Sequence, residues 1–501
     1  MSDPQVDRRM SVDKGQPTFQ VIVLGPTGGP REDNITGLLI RSASTSWTKG
    51  SVVAVDAGTM LSGIIRTLEP HMTVSEDGKA SVTSGPFAGL QLPHSTAKAN
   101  AAYIFREIIA AVLITHPHLD HLAGLAINTP IVEASNGPKT VAALPSVIAA
   151  MKNHMFNDVI WPNLSDEDGG AGLITYQRLV EGGNPHFGRG ELRGYVRACE
   201  NLLTKCLSVS HGRCKQQYHP ETGRHHRVGS GVFTAESMMV PPSFSVDHSD
   251  AGRLYSPTRA RLSSASGSSG KETAWATVES SAFFIRDGPT GHEIIVFGDI
   301  EPDSVSLEPR NRRVWEIAAR KVAAGTLRAI FIECSFNDSV DDNSLYGHLC
   351  PRHLVAELRV LAERVIAVQE ASSPRSRGRS SKRKRHDSDS GSPRSARTTL
   401  PQLSGRNPNH TNEHKPNNEH EVNNNANLNA IVEEEEEDNN QASPTPPPLA
   451  GLAVYIIHIK DTLCDGPHPS EQILQELRAH SEAMGLGCQF YVPKQGEGIW
   501  I

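Results

Sequence analysis

The stretch that most constrains this chain is A-V-L-I-T-H-P-H-L-D-H-L-A-G, residues 111–124. An apolar run, Ala110 to Ile114, stops abruptly at His116, His118, Asp120 and His121. The run is short, has β-branched members and shows no polar face, which fits a strand buried within a sheet. In extended chain past its end, His116 and His118 point the same way, and His121 sits where a helix begins, aimed back across the same pocket. Imidazole and carboxylate at this density form the donor set of zinc or a similar divalent ion. The plain alternative is four solvated residues in a loop. Such a cluster at a buried strand end is costly without a purpose, which favours the metal reading.

Composition narrows the partners. At 501 residues the chain exceeds one ordinary domain, yet 33 Pro and 42 Gly indicate that much of it is not packed core. A net charge of −7 gives no global case for nucleic acid or an anionic membrane as partner. No run reaches about 18 apolar residues, and the opening MSDPQVDRRMSVDKGQ lacks a signal-peptide apolar region. The expectation is a soluble cytoplasmic protein with no membrane partner. Seven cysteines without a C-x-x-C pair fit a reducing compartment, and none is taken as a ligand. Homo-oligomerisation stays open.

Residues 1–17 read as a disordered tail. Strands are expected at Phe19–Leu24, Ile35–Ser42 and Ser51–Val55, then a helix over Thr59–Leu68 with Met60, Ile64 and Leu68 on one side. Residues 70–95 look like a surface insertion, and Thr96–Glu107 like a helix. After the histidine cluster come a helix over Leu144–Met155, a loop over 157–172, and a strand at Leu202–Val209 ending in Ser210-His211-Gly212. Residues 213–272 read as a loop insertion whose His219, His225 and His226 are not ligands. Strands at Glu279–Ile285, Glu293–Phe297 and Arg328–Glu333 follow, with a helix over Arg310–Val322. Gly298 before Asp299 is read as making room for backbone and metal. His348 lies near a helix start. Residues 371–449, with KRKR, Asn/His-rich repeats and EEEEE, cannot build a core and form a low-complexity disordered insert. Lys382–Arg385 is a candidate nuclear-localisation patch or a solvated basic run. Order resumes with a strand over Ala453–Ile459 carrying His458, a helix over Ser470–Met484 and a short strand at Gln489–Val492.

In order, L-G-P-T-G-G-P, T-H-P-H-L-D-H-L-A-G, S-H-G, S-S-A-F-F-I, F-G-D-I-E-P-D, I-E-C-S-F, G-H-L and I-I-H-I-K resemble the class II, fungal-type, low-affinity 3′,5′-cyclic-nucleotide phosphodiesterases of the metallo-β-lactamase superfamily. The resemblance covers residues 18–370 and 450–501 as one catalytic domain. It implies an α/β fold, an αββα sandwich with long disordered insertions. The implied reaction is metal-dependent hydrolysis of cyclic AMP, with cyclic GMP as a second candidate substrate, to the 5′-monophosphate by a hydroxide shared between two divalent ions. His116, His118, His211 and Asp299 are assigned to the first ion. Asp120, His121, Asp299 and His458 hold the second, with Asp299 bridging. Asp120 also counts among the catalytic residues. His348 contacts the phosphate or protonates the leaving oxygen, Glu333 orients it or a ligand, and Asp56 supports from behind. Zinc suits this histidine-rich set best, with manganese and iron as alternatives. Two other readings are weighed: a tRNA 3′-processing endonuclease of the same superfamily, and a metal-stabilised scaffold without activity. The acidic net charge and I-E-C-S-F in place of H-E-A-T-F speak against the first. The complete donor set speaks against the second.

Overall fold

A computed structural model describes residues 15–132, 137–219, 224–227, 273–372 and 446–501. Its strands form two large sheets. The first runs, in spatial order, Gly498–Trp500, Phe19–Gly25, Gly37–Ser42, Val52–Val55, Ile109–Leu113, Lys139–Ala143 and Ile174–Arg178. The second runs Val196–Cys199, Leu202–His219, Thr273–Asp287, Glu293–Phe297, Leu327–Glu333, Ala453–Ile457 and Gln489–Tyr491, with Arg224–Arg227 paired to Leu202–His219.

Strand periodicity explains why both faces of the second sheet are apolar. Phe283, Ile285, Ile294, Val296, Phe331 and Ile457 face a core shared with the first sheet. Their neighbours Phe284, Ile295, Phe297, Ile330, Ile332 and Ile456 face a second core instead. There they meet Val314 and Trp315 of helix Asn311–Ala323, Leu358 and Leu361 of helix Pro351–Ser372, and Ile473 and Leu477 of helix Pro469–Ala483. The first sheet is covered by Leu61–Leu68 and its neighbours, with Ile64 and Leu68 fully buried. The result is the αββα sandwich. No described helix is long and apolar enough to cross a membrane.

Two parallel sets place the chemistry. Ile109–Leu113 pairs in parallel with Val52–Val55 and Lys139–Ala143. Glu293–Phe297, Leu327–Glu333 and Ala453–Ile457 are mutually parallel in the other sheet. Ligands in α/β sheets collect beyond the carboxyl ends of such strands, and the histidine-bearing segments leave both sets at that end.

Several expectations change. Residues 70–95 are more than a surface insertion: Met72–Val74, Ala80–Val82 and Gln91–Leu92 form a small sheet, and Ala80, Val82, Phe87, Leu90 and Leu92 join the main core. The strand bearing Ser210-His211-Gly212 does not end there. It continues to His219, and the histidine sits in a bulge against Thr273–Asp287, where the register shifts between Ser210 and Arg213 and Gly212 has φ +61. Gly298 does allow the close approach expected of it, and the neighbours it admits are side chains: a Cβ there would meet Thr115 Cβ at 2.4 Å and Ser280 Oγ at 2.6 Å. The expectations for Lys382–Arg385, for most of 1–17, 213–272 and 371–449, and for the side chains of His219, His225 and His226 lie outside the described residues.

Candidate active site

The strand Ile109–Leu113 hands over to helix Leu119–Asn128 in five residues, and that junction carries His116, His118, Asp120 and His121. The second sheet sends one residue from each of several segments. His211 comes from the bulge, Asp299 from just past Glu293–Phe297, Glu333 from the last position of Leu327–Glu333, and His458 from just past Ala453–Ile457. His348 precedes helix Pro351–Ser372 by three residues and points to Glu333 rather than capping.

All these side chains converge. Asp299 Oδ2 lies 3.6 Å from His116 Nε2 and 3.6 Å from His211 Nε2, while His118 Nδ1 is 3.3 Å from His211 Nε2. On the other side, Asp299 Oδ1 is 3.3 Å from His121 Nε2, and Oδ2 is 3.3 Å from His458 Nε2. His458 Nε2 is 3.1 Å from both His121 Nε2 and Asp120 Oδ2. Two four-residue groups therefore share Asp299, each able to hold a metal ion. A third group joins His211, Asp299, Glu333 and His348.

Hydrogen bonding behind the rings decides which atoms face inward. His121 Nδ1 donates to Asp56 Oδ2 at 2.8 Å, and His211 Nδ1 to the Gly347 carbonyl at 2.8 Å. His348 Nδ1 donates to Glu333 Oε1 at 2.9 Å. Thr115 Oγ1 gives its proton to Asp56 Oδ2, so it accepts from His116 Nδ1 at 3.1 Å. Ser335 Oγ lies 3.2 Å from His458 Nδ1 and 2.6 Å from Glu333 Oε2. Each of these five rings is held at Nδ1, and those of His116, His121, His211 and His458 turn Nε2 to Asp299, which is how metal-binding imidazoles are oriented, while His348 keeps Nδ1 3.7 Å from Asp299 Oδ2. His118 turns Nδ1 toward His211 Nε2, and it is exposed.

The donors fit an ion and do not fit one another. His116 Nε2 and Asp299 Oδ1 are buried with no hydrogen-bond partner among the described residues. Nε2 faces Nε2 across 3.1 Å between His121 and His458. A tetrahedron with bonds of roughly 2.0–2.2 Å has edges of about 3.4 Å, the spacing seen around Asp299. Burial pushes the imidazoles of His116 and His211 well below their ordinary range, keeping them neutral. Burial also disfavours a charged His121, but the Asp299 and Asp56 carboxylates outweigh it and raise the imidazole well above its ordinary range. Burial opposes an ionised Asp299 too, yet His458, His121 and His116 keep it well below the carboxylate range.

Glu333 is saturated: Oε1 accepts from Ile300 N at 2.8 Å and His348, Oε2 from Ser335 Oγ and from Leu349 N at 3.3 Å. That leaves it to orient His348. Burial lowers the His348 imidazole, but the Glu333 charge and hydrogen bond prevail and raise it. Sequence reasoning found Asp56 behind the donors but missed Thr115, Ser335 and Gly347. A carbonyl or hydroxyl that braces a ring carries no signal of its own in the sequence.

The sequence profile of the class-II cAMP phosphodiesterases matches residues 19–181, 239–375 and 427–496. The chain is 29% identical over 345 residues to a 3′,5′-cyclic-nucleotide phosphodiesterase of Schizosaccharomyces pombe, covering 69% of this chain and 75% of that relative. It is 26% identical over 348 residues to a 3′,5′-cyclic-nucleotide phosphodiesterase of Aliivibrio fischeri, covering 69% of this chain and 76% of that relative. The crystal structure of unliganded yeast PDE1 superposes with a TM-score of 0.57 at 20% identity, over 97% of this chain and 100% of that one. That last likeness speaks for the fold. With the profile matched over most of its length, the chain belongs to the class-II cAMP phosphodiesterases.

Proposed function

We propose that this chain hydrolyses 3′,5′-cyclic nucleotides, cyclic AMP and also cyclic GMP, to 5′-monophosphates at a centre of two zinc ions. The carrying observation is the pair of donor groups that share Asp299, with the four braced rings of His116, His121, His211 and His458 turning Nε2 inward. His116, His118, His211 and Asp299 would hold one ion, and Asp120, His121, Asp299 and His458 the other. When bound, two such ions offset charge on the phosphoryl oxygens and lower the pKa of the attacking water toward neutrality.

The chain's own residues do the rest. Asp56 and Thr115 fix His121 and His116, so the donors need not reorganise on binding. Asp120, whose side chain is 26% exposed, lies at the open side of the centre where a substrate enters. Glu333 holds the Nδ1 proton of His348, which fixes the ring and presents Nε2 to the substrate. As water oxygen bonds to phosphorus and releases its proton to solvent, the P–O3′ bond breaks and His348 Nε2 would give a proton to the departing 3′-oxygen.

Elemental analysis of the purified full chain, together with hydrolysis assays on cyclic AMP, cyclic GMP and a pre-tRNA, tests this. Two zinc ions per chain and turnover of the cyclic nucleotides alone are expected. Cleavage of the pre-tRNA without hydrolysis of cyclic nucleotides would replace this reading with the nuclease one.

A further inference from the structure

We infer that Lys460 is the phosphate-binding cation of this site: its ammonium meets a non-bridging oxygen of the cyclic phosphate and then grips the 5′-monophosphate product. This rests on the phosphodiesterase reading and names a substrate contact within it.

Lys460 lies two residues past His458, and its position is fixed from both sides. Its backbone N–H bonds Ser335 O at 3.1 Å, and the next residue, Asp461, bonds Gly29 O at 3.1 Å. The side chain then crosses the glycine turn, where Nζ donates to Gly28 O at 2.7 Å and stands 3.5 Å from Asp120 Oδ2. An ammonium has three donors, and these two contacts leave one unassigned on a side chain that is 28% exposed. Gly28 admits this arrangement: a Cβ there would lie 2.9 Å from Lys460 Nζ and 2.5 Å from His458 Cε1.

Charge balance says what the spare donor is for. The carboxylates of Asp56, Asp120, Asp299 and Glu333 offset the four positive charges of two divalent ions, and the His348 imidazolium, which adds one more, is neutral once it has given its proton. The cyclic phosphate brings one negative charge, and the monophosphate product about two. Lys460 is the fixed cation positioned to meet that excess at the open side of the centre.

The test is calorimetric titration of inorganic phosphate into the metal-loaded full chain, comparing wild type with Lys460→Met and Lys460→Arg. Metal content, cyclic AMP kinetics and inhibition by 5′-AMP are measured on the same samples. Loss of one charge-assisted hydrogen bond is worth about 10–10²-fold. Lys460→Met should therefore keep both ions, weaken phosphate and 5′-AMP binding by about that factor, and lower kcat/KM comparably. Lys460→Arg should recover most of each. Unchanged phosphate binding in the methionine variant, or a metal ion lost with it, overturns the proposal and leaves Lys460 a strut. A wild type that binds metal and phosphate but hydrolyses no cyclic nucleotide overturns the functional reading instead, and the phosphate titration still decides Lys460. If Lys460→Met does not fold, Lys460→Gln takes its place in the same titration.

Discussion

The two walls of the centre are built on opposite plans. The first sheet supplies His116, His118, Asp120 and His121 from a single strand-to-helix junction. The second sheet supplies His211, Asp299, Glu333 and His458 from four segments that meet only when their strands are in register. Local backbone geometry organises the first wall. The second depends on long-range bonds: His211 to Gly347, Ile300 to Glu333, and His458 N to Pro26 O at 2.6 Å. His458 even holds φ +59, a left-handed conformation kept in place by its surroundings. A metal ion bound between the walls would therefore couple most strongly to the order of the second sheet.

Asp299→Ala should give the largest effect. That carboxylate comes from the second wall yet belongs to both donor groups. We expect both metal ions to be lost and turnover to vanish, checked by elemental analysis and cyclic AMP hydrolysis. His118→Ala, on the first wall and outside the second group, should cost one ion only. Equal losses from the two variants would mean that Asp299 does not bridge.

His348→Ala comes next. Glu333 holds its Nδ1 and both groups are complete without it, so two ions per chain should remain. Removing a general acid costs about 10²–10⁴ in rate, and kcat should fall by that factor. A p-nitrophenyl phosphodiester, whose leaving group needs less protonation, should suffer less. Loss of an ion with equal damage to both substrates would instead make His348 a ligand of the third donor group.

The same contrast explains what could be read from the sequence. The first wall was legible because its chemistry fits into six residues of chain after an apolar run. Asp299, Glu333, His348 and His458 were found through short motifs at strand ends and through family resemblance. The bulge at His211 was not, because Ser-His-Gly reads as a strand end unless the partner strand Thr273–Asp287 is known. Lys139–Ala143 escaped notice because it opens with a lysine. That residue is 5% exposed and donates Nζ to Arg106 O at 3.0 Å and to Ile109 O at 2.5 Å. Gly498–Trp500 and Ile174–Arg178 are short and mixed in character, and only their pairing partners make them strands.

Asp56→Asn probes the brace behind the first wall. Asp56 accepts from Thr115 N, Thr115 Oγ1 and His121 Nδ1, each at 2.8 Å, and it is buried with φ +56. The amide keeps the shape but removes the charge that orients His121. Such supporting partners typically govern 10–100-fold in metal affinity, so zinc affinity should drop by about that factor, read by competition with a chromogenic chelator. If Asn at this position binds zinc as tightly as Asp, the first wall needs no support from behind, and the contrast between the walls is sharper still.

The smallest effect is expected far from both walls. We propose that residues 375–447 contribute nothing to the centre, because their basic, Asn/His-rich and acidic blocks hold too little apolar surface for a core. The described chain on either side is already anchored. Helix Pro351–Ser372 buries Leu361 and Val365 before the segment begins. After it, Leu449 is fully buried and bonds Leu486 O through its N–H at 2.9 Å. The ends are rejoined with a flexible Gly/Ser linker of about 20 residues, which spans roughly 25 Å. Deletion with that linker should leave metal content and kcat unchanged and move Tm by less than about 2 °C. Since His458 follows Leu449 by one short strand, a fall in the occupancy of the His458 site alone would show that the segment helps order the second wall.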